Sequence, residues 1–198
     1  MLTDGLHGVP AGKIATVVTY LEMRSKPHVK DVPLKEGLRF RRVEPDVAWY
    51  RDIFRRVGSQ DWLWYGRLLL DDDALSEVVA DPKVEIYTLS QSGRDMALME
   101  LDFSDEGECE LSYFGLTSDL IGTGSGRYLI NEAITRAWDK PISRFHVHTC
   151  TLDSPQALAF YRRNGFSVVK QEVQIADDPR ALGILPETAG PLVPLIRP

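Results

Sequence analysis

Residues 121–130 read IGTGSGRYLI, a glycine-rich loop that leads directly into an amphipathic helix pattern. Glycine permits positive φ and lets the backbone approach a ligand closely. The start of a helix adds free N–H groups and the positive end of the helix dipole, which attract phosphate oxygens. Arg127 falls in the first turn, where a cation opposes the dipole by about 0.3–1 kcal/mol unless an anion is bound. The stretch predicts a phosphate-binding turn, and tight strand-to-helix packing is the alternative.

Two familiar phosphate loops are excluded. A P-loop needs a lysine after its glycines, and none follows here. The dinucleotide-binding fingerprint needs a third glycine where Arg127 stands, and it opens a βαβ unit. The segments before this loop instead look like antiparallel strands joined by short turns.

Composition indicates an ordinary globular protein. The 198 residues suit one domain of good size with an appended arm, and 43% are hydrophobic. A net charge of -6 without a basic block argues against nucleic-acid binding. The sequence contains no run of about 18 apolar residues, so no membrane span is predicted. Residues 1–12 lack a signal-peptide pattern. Cys109 and Cys150 fall in strand-like segments, which predicts buried thiols and a cytoplasmic protein.

Hydrophobic periodicity predicts the fold class, an α/β (α+β) protein with a mixed central sheet and helices on both faces. The predicted order is β-α-α-β-β-β-α-β-α-β, plus an extra N-terminal strand. Pro45 opens the first helix and Gly58 is expected to stop it. Ser154-Pro155 opens the last helix, with the serine as N-cap. The proline-rich tail is expected to lie loosely over the surface.

Two motifs in this order resemble a known family. A strand ending near Leu116 precedes the glycine loop Ile121–Arg127, and residues 154–166 read SPQALAFYRRNGF. From Leu38 to Ile175 the chain resembles the GNAT superfamily of acyl-CoA-dependent N-acyltransferases. Its central motif is a strand, Arg/Gln-x-x-Gly-x-Gly/Ala and a helix, followed later by Asn-x-x-Ala-x-x-x-Tyr-x-x-x-Gly-Phe. Ile121 and Ser154 depart from this pattern, because Arg or Gln and Asn are usual there.

The resemblance implies an acetyl-CoA-dependent N-acetyltransferase that needs no metal. It would move an acetyl group to a primary amine of a small molecule or peptide, by direct transfer in a ternary complex. Residues 1–36 would be an N-terminal arm, 37–176 the acyl-CoA-binding catalytic domain and 177–198 a tail. We expect neither a nucleic-acid nor a membrane partner. Whether the protein forms a homodimer is left open by the sequence. A non-catalytic acyl-CoA-binding or sensing module is the alternative, whereas the strand meander argues against a nucleotide-binding α/β domain.

The resemblance also implies the cosubstrate site. The pantetheine arm would pair with one strand, and the pyrophosphate would lie on the glycine loop. Two strands, near Phe114 and His146, are expected to diverge and hold the thioester between them. The implied contacts are Phe114, Gly115, Leu116, Gly122, Thr123, Gly124, Ser125, Gly126, Arg127, Ser154 and Ala157.

Proton transfer is assigned to two residues. By resemblance Glu110 is the general base for the amine, and Tyr161 is the acid that protonates the leaving thiolate. Glu100 and Glu108 are competing bases. Glu110 facing solvent or pairing with Arg144, and Tyr161 as a packing residue only, are the structural alternatives.

Aromatic residues and a histidine are candidates for the amine site. Trp62, Trp64 and Tyr65 fall where the family builds its acceptor wall, and a core anchor is the alternative. His148 shares a strand face with His146 and is a candidate contact for the acceptor. As a metal pair the two histidines lack an obvious third ligand, so no metal is expected.

Overall fold

The computed structural model describes residues 3–198, in which eight strands form one mixed sheet. Alternating and β-branched segments form the strands, as their periodicity predicts. The strands are β1 Lys13–Met23, β2 Leu38–Val43, β3 Val84–Gln91, β4 Arg94–Asp95, β5 Ala97–Asp102, β6 Glu108–Leu116, β7 Arg144–Cys150 and β8 Ser167–Asp177.

Helices cover both faces of this sheet. They are α1 Val47–Phe54, α2 Gln60–Trp62, α3 Asp72–Ala80, α4 Ser125–Trp138 and α5 Ala157–Arg163. Two start with an aspartate cap, because Asp46 accepts from the Trp49 amide at 2.7 Å and Asp71 from the Ala74 amide at 2.9 Å. The predicted mixed sheet with helices on both faces is confirmed.

The helix boundaries differ from prediction in two places. Gly58 does not stop the first helix, because a π-helical turn, Arg55–Ser59, continues it into α2. The chain leaves the helix only at Leu63, which has a left-handed φ of 54°. Helix α5 starts two residues after Pro155, and the hydroxyl of Ser154 accepts from the Gln156 amide at 3.4 Å instead of capping the helix.

The sheet runs in the order β2-β3-β5-β6-β7-β1-β8, with β4 paired to β3. The predicted meander of β3, β5 and β6 is antiparallel, and α4 crosses over to make β7 parallel to β6. The extra N-terminal strand β1 lies inside the sheet, antiparallel to both β7 and β8. Strand β1 therefore supports β7 on the side away from β6.

Two apolar cores lie on opposite faces of the sheet. One contains the buried faces of α4 and of strands β6 and β7, including Leu129, Ile130 and Phe145. The other contains α1 and α3, with Tyr50 and Phe54 fully buried. Helices α1 and α3 cover only the half of the sheet that runs from β2 to β6. On the same face, strands β7 and β1 are not covered by these two helices.

The C-terminal segment after β8 is fixed to the domain, in contrast to the loose tail expected. Arg180 and Asp178 form a buried ion pair, with 2.8 Å between Nη2 and Oδ2. The guanidinium also donates to the carbonyls of Ala189 and Val193, which closes the segment on itself. The Gly190 amide donates to the Gln60 carbonyl at 2.8 Å, so the segment is hydrogen-bonded to the start of α2.

We expect Gly58→Ala to destabilise the fold by about 1–3 kcal/mol, the usual cost of overpacking. A Cβ at Gly58 would lie 2.0 Å from Cδ2 of the Trp64 ring, far inside contact distance. Urea unfolding followed by tryptophan fluorescence measures the change. Gly8→Ala, where nothing lies within 4 Å of the new Cβ, is the matched control. Equal unfolding midpoints for the two variants would contradict the packing described here.

Candidate active site

Strands β6 and β7 are hydrogen-bonded only at their first residues. Pairing runs from Glu108 opposite Arg144 to Glu110 opposite His146, and then the strands diverge. A bulge in β6 places Tyr113 opposite Glu100 but Leu111 opposite the next residue of β5. Bulges bend and twist a strand, which accounts for the divergence. The gap opens into a cavity of about 480 Å³.

The glycine loop forms one end of this cavity. Gly122 and Gly124 have φ of 76° and 89°, and no heavy atom lies within 4 Å of a Cβ built on either. The space above the loop is therefore open to a ligand. The first amides of α4 lack helical acceptors and lie at the positive end of its dipole. The loop thus presents backbone donors to an anion.

Most of the predicted cosubstrate contacts line the cavity. They are Phe114, Gly115, Leu116, Gly122, Gly124, Gly126, Arg127, Ser154 and Ala157. The hydroxyls of Thr123 and Ser125 instead share a hydrogen bond of 2.8 Å, and Thr123 Oγ1 also donates to the Leu120 carbonyl. With its side chain buried, Ser125 has only its backbone amide to offer a ligand.

Tyr161 lies on α5 with its ring buried between Phe114 and Phe166. It lines the cavity, and its hydroxyl, which no group in residues 3–198 pairs with, is not among the buried unpaired atoms and so is accessible from the cavity. Burial, and secondly the nearby Asp153 carboxylate, raise the pKa of the phenol well above its ordinary value. Tyr161 therefore stays protonated and can donate into the cavity.

Glu110 and His148 form a pair across the gap. Nδ1 of His148 lies 3.1 Å from Oε1 of Glu110. The hydrogen bond from His148 lowers the pKa of the Glu110 carboxyl, and the same bond raises the pKa of the imidazole. Arg144, the structural partner considered for Glu110, instead contacts Glu108 at 2.8 Å and Glu22 at 2.7 Å.

The two competing glutamates are occupied elsewhere. Glu100 is fully buried and accepts from the Arg67 guanidinium and the Tyr50 hydroxyl. Glu108 accepts from Arg144 and lies 3.6 Å from Nε2 of His146. Of the three glutamates, Glu110 is the one whose hydrogen-bond partner, His148, lines the cavity.

Trp62, Trp64 and Tyr65 all line the cavity. Trp64 is also a packing residue, since a Cβ on Gly115 would lie 3.1 Å from its ring and its ring packs beside Phe54. Trp64 therefore lines the cavity and also packs in the core. The C-terminal segment supports this wall, because Leu185 and Ala189 pack in one cluster with Leu63, Tyr65 and Leu152.

Asp153 is a cavity residue that the sequence did not reveal. Its carboxylate accepts from Trp64 Nε1 at 2.8 Å, from Thr149 Oγ1 at 2.7 Å and from the Cys150 amide at 2.8 Å. It joins the aromatic wall to the end of β7. Cys150, expected to be buried, is only half-buried and lines the cavity, whereas Cys109 is fully buried.

A second, basic groove of about 370 Å³ lies between α4, α5 and the connector after β1. Lys30, Arg127 and Arg163 line it, together with Asn131 and Asn164. Arg127 lines both this groove and the larger cavity. The groove could not be predicted from the sequence, because its three cations come from segments that are far apart in the chain.

Residues 3–198 contain neither a metal-binding cluster nor a membrane-spanning helix. No three His, Cys, Asp or Glu side chains come together there in a way that could hold a metal ion. Within the same residues, each helix is too short or too polar to cross a bilayer.

Residues 47–166 match the family model described as the acetyltransferase (GNAT) family. This match covers more than half of the chain, and it includes the glycine loop, Glu110 and Tyr161. The chain belongs to the GNAT acetyltransferase family. A comparison with curated protein sequences finds no match.

Solved structures share the fold at low sequence identity. The GCN5-related N-acetyltransferase from Sphaerobacter thermophilus has a TM-score of 0.60 and 16% identity, over 86% of this chain and 53% of that one. A putative GNAT acetyltransferase from Novosphingobium aromaticivorans has a TM-score of 0.56 and 16% identity, over 84% of this chain and 67% of that one. A GNAT acetyltransferase from Elizabethkingia anophelis, solved with acetyl-CoA bound, has a TM-score of 0.52 and 14% identity, over 69% of this chain and 80% of that one. The chain thus spans about half the length of the Sphaerobacter protein, and these likenesses show the fold alone.

Proposed function

We propose that this protein is an acetyl-CoA-dependent N-acetyltransferase that acetylates a primary amine of a small molecule or peptide. One observation carries the proposal. A single cavity in the β6–β7 gap has the glycine loop at one end and both the Tyr161 hydroxyl and the His148–Glu110 pair on its walls or behind them. An anion site, a proton donor and a proton acceptor around one gap are the parts that acyl transfer from a thioester needs.

The glycine loop would hold the pyrophosphate of acetyl-CoA. The amides of Gly122, Gly124, Ser125 and Gly126 supply donors at the start of α4, whereas those of Thr123 and Arg127 donate to the carbonyls of Leu120 and Gly124. The fixed dipole favours negative charge there. The basic groove beside Arg127 suits the remaining phosphate at the nucleotide end. The pantetheine arm would run along β6 at Phe114 to Leu116, where pairing with β7 has ended and edge groups of the strand are free.

The chemistry would proceed by direct transfer in a ternary complex. The amine nitrogen attacks the thioester carbonyl, a C–N bond forms and the C–S bond breaks. Glu110 acts in removing the proton from nitrogen, and Tyr161 gives its proton to the departing sulfur. Trp62, Trp64 and Tyr65 would form a wall of the acceptor site, and the two cysteines, which form no disulfide, fit the proposed cytoplasmic location.

The proposal competes with a non-catalytic acyl-CoA-binding module. Tyr161 and the His148–Glu110 pair favour the enzyme, because a proton donor and a proton acceptor at the cavity are parts that acyl transfer needs and that binding alone does not. The deciding experiment screens a panel of amino acids, polyamines, aminoglycosides and peptides with acetyl-CoA, and follows free thiol release against a reaction without amine. We expect amine-dependent thiol release for at least one class. Tight acetyl-CoA binding without any amine-dependent release would support the sensing module instead.

A further inference from the structure

We propose that His148 contacts the acceptor amine and takes its proton, and that Glu110 is a positioning residue that acts through His148. This inference rests on the proposed function. It changes the expected role of Glu110, which by itself would be the general base.

The cavity reaches His148 and not the carboxylate behind it. His148 lines the cavity, whereas Glu110 is not among the described residues that do so. Pairing between β6 and β7 ends at His146, so His148 is the next residue of the same strand face and the first one beyond the point of divergence. Its side chain is 49% exposed, compared with 33% for Glu110. An amine in the cavity would therefore meet the imidazole before the carboxylate.

The hydrogen bond fixes which ring nitrogen is basic. Nδ1 lies 3.1 Å from Oε1 of Glu110, and an ionised carboxylate only accepts, so Nδ1 carries the hydrogen. Neutral imidazole then has its lone pair on Nε2. No group in residues 3–198 forms a hydrogen bond with that atom. His148 thus presents a free acceptor, and Glu110 holds the ring in the tautomer that makes it one.

The protons balance over one turnover. As the C–N bond forms, the proton on nitrogen moves to Nε2 of His148, and the imidazolium is stabilised by the Glu110 carboxylate. Tyr161 gives its proton to sulfur as the C–S bond breaks. Water then removes the proton from His148 and returns one to Tyr161, so the net change moves one proton from nitrogen to sulfur.

Charged and titratable groups of several neighbouring elements act on this pair or lie close to it, and besides the hydrogen bond from His148 the Arg67 guanidinium also lowers the pKa of Glu110. Glu110 comes from β6, and His146 lies on the same strand as His148. From β1, the Tyr20 ring lies 5.9 Å from the His148 ring. Asp153 follows β7, and β8 contributes Lys170 and Glu172, whose charges act on Tyr20.

The carboxylates determine the sign of the pH dependence. The bond to Glu110 raises the pKa of His148, against the opposing effect of burial, and the Asp153 charge raises it further. Below this raised pKa the imidazolium has no lone pair, so turnover should fall on the acid side. Burial lowers the pKa of the neighbouring His146, so that residue should not produce the same limb.

Three glutamine variants test the assignment, with the amine that the wild type acetylates fastest as acceptor. His148→Gln should lower kcat by about 10²-fold and remove the acid limb of the pH–rate profile. Glu110→Gln keeps a hydrogen bond to Nδ1 but removes the charge, so it should lower kcat less and move the acid limb to lower pH. His146→Gln, on the same strand face but outside the cavity lining, is the control and should match the wild type.

Other results would overturn the proposal. Near wild-type turnover in His148→Gln together with loss of turnover in Glu110→Gln would make Glu110 the base itself. An NMR titration of the ring nitrogens that finds the same His148 pKa in wild type and Glu110→Gln would remove the positioning role. A wild type that acetylates no amine would instead overturn the proposed function, before any variant is compared.

Discussion

Tyr161→Phe should lower turnover by about 10²-fold while the affinity for acetyl-CoA stays near that of the wild type. The change removes one oxygen from a buried ring that packs between Phe114 and Phe166. Since no group in the described part of the chain accepts from this hydroxyl, the fold loses no hydrogen bond. The contacts expected for the pyrophosphate lie on the glycine loop and do not involve the Tyr161 hydroxyl.

Steady-state kinetics over pH and calorimetric titration with acetyl-CoA measure the two parts of this prediction. Phe160→Leu is a useful companion variant, because Phe160 stacks on Phe114 at 5.7 Å and tests packing on the same helix without removing a proton donor. Equal turnover in Tyr161→Phe and wild type at every pH would leave Tyr161 as a packing residue.

Gly126→Asp should weaken acetyl-CoA binding by at least about 10²-fold, since a hydrogen bond to a charged group contributes about 1.5–3 kcal/mol and more than one would be lost. Gly126 lies in the first turn of α4 and lines the cavity. Its new side chain would enter the space that the pyrophosphate needs and would repel it. The fold should survive, because the added Cβ would meet its nearest neighbour, Leu116 Cδ1, at an ordinary 3.5 Å. An aspartate near a helix start is also favourable.

Gly126→Asn separates size from charge in the same calorimetric experiment. It should bind more weakly than wild type and more tightly than Gly126→Asp. If a folded Gly126→Asp variant bound acetyl-CoA like the wild type, the pyrophosphate site would lie elsewhere.

Local patterns predicted much of the fold because each has a local cause. Alternation gave the meander, and the glycine loop followed by helical spacing gave the start of α4. Gly58 misled the prediction of the first helix, because its lack of a side chain serves the Trp64 ring and not a helix end. Close packing against a distant residue leaves no mark in the adjoining sequence.

Long-range placement could not be predicted in the same way. Nothing in residues 13–23 indicates that β1 lies between β7 and β8, because strand order depends on pairing across the whole chain. Arg180 and Asp178 lie in the proline-rich tail that was expected to lie loosely over the surface, yet they pair in a buried site. Charged residues become buried when a partner compensates them, and only the structure shows the partner.

In the candidate site, too, some residues could be predicted from local motifs and others depend on long-range placement. The glycine loop, Glu110 and Tyr161 lie within motifs that can be read from the sequence. The contact between His148 and Glu110, 38 residues apart, and the role of Asp153 at the aromatic wall depend on strand register. Neither this contact nor the hydrogen bonds of Asp153 could be predicted from the residue types alone.

The most direct test of the account follows a labelled acetyl group through one turnover. Excess enzyme is mixed with isotopically labelled acetyl-CoA and the best amine of the panel, quenched rapidly and analysed by mass spectrometry. We predict that the label passes to the amine nitrogen with one free thiol released per acetyl group, and that the protein carries no label at any time. Label retained on acetyl-CoA, or found first on the protein, would contradict direct transfer in this cavity.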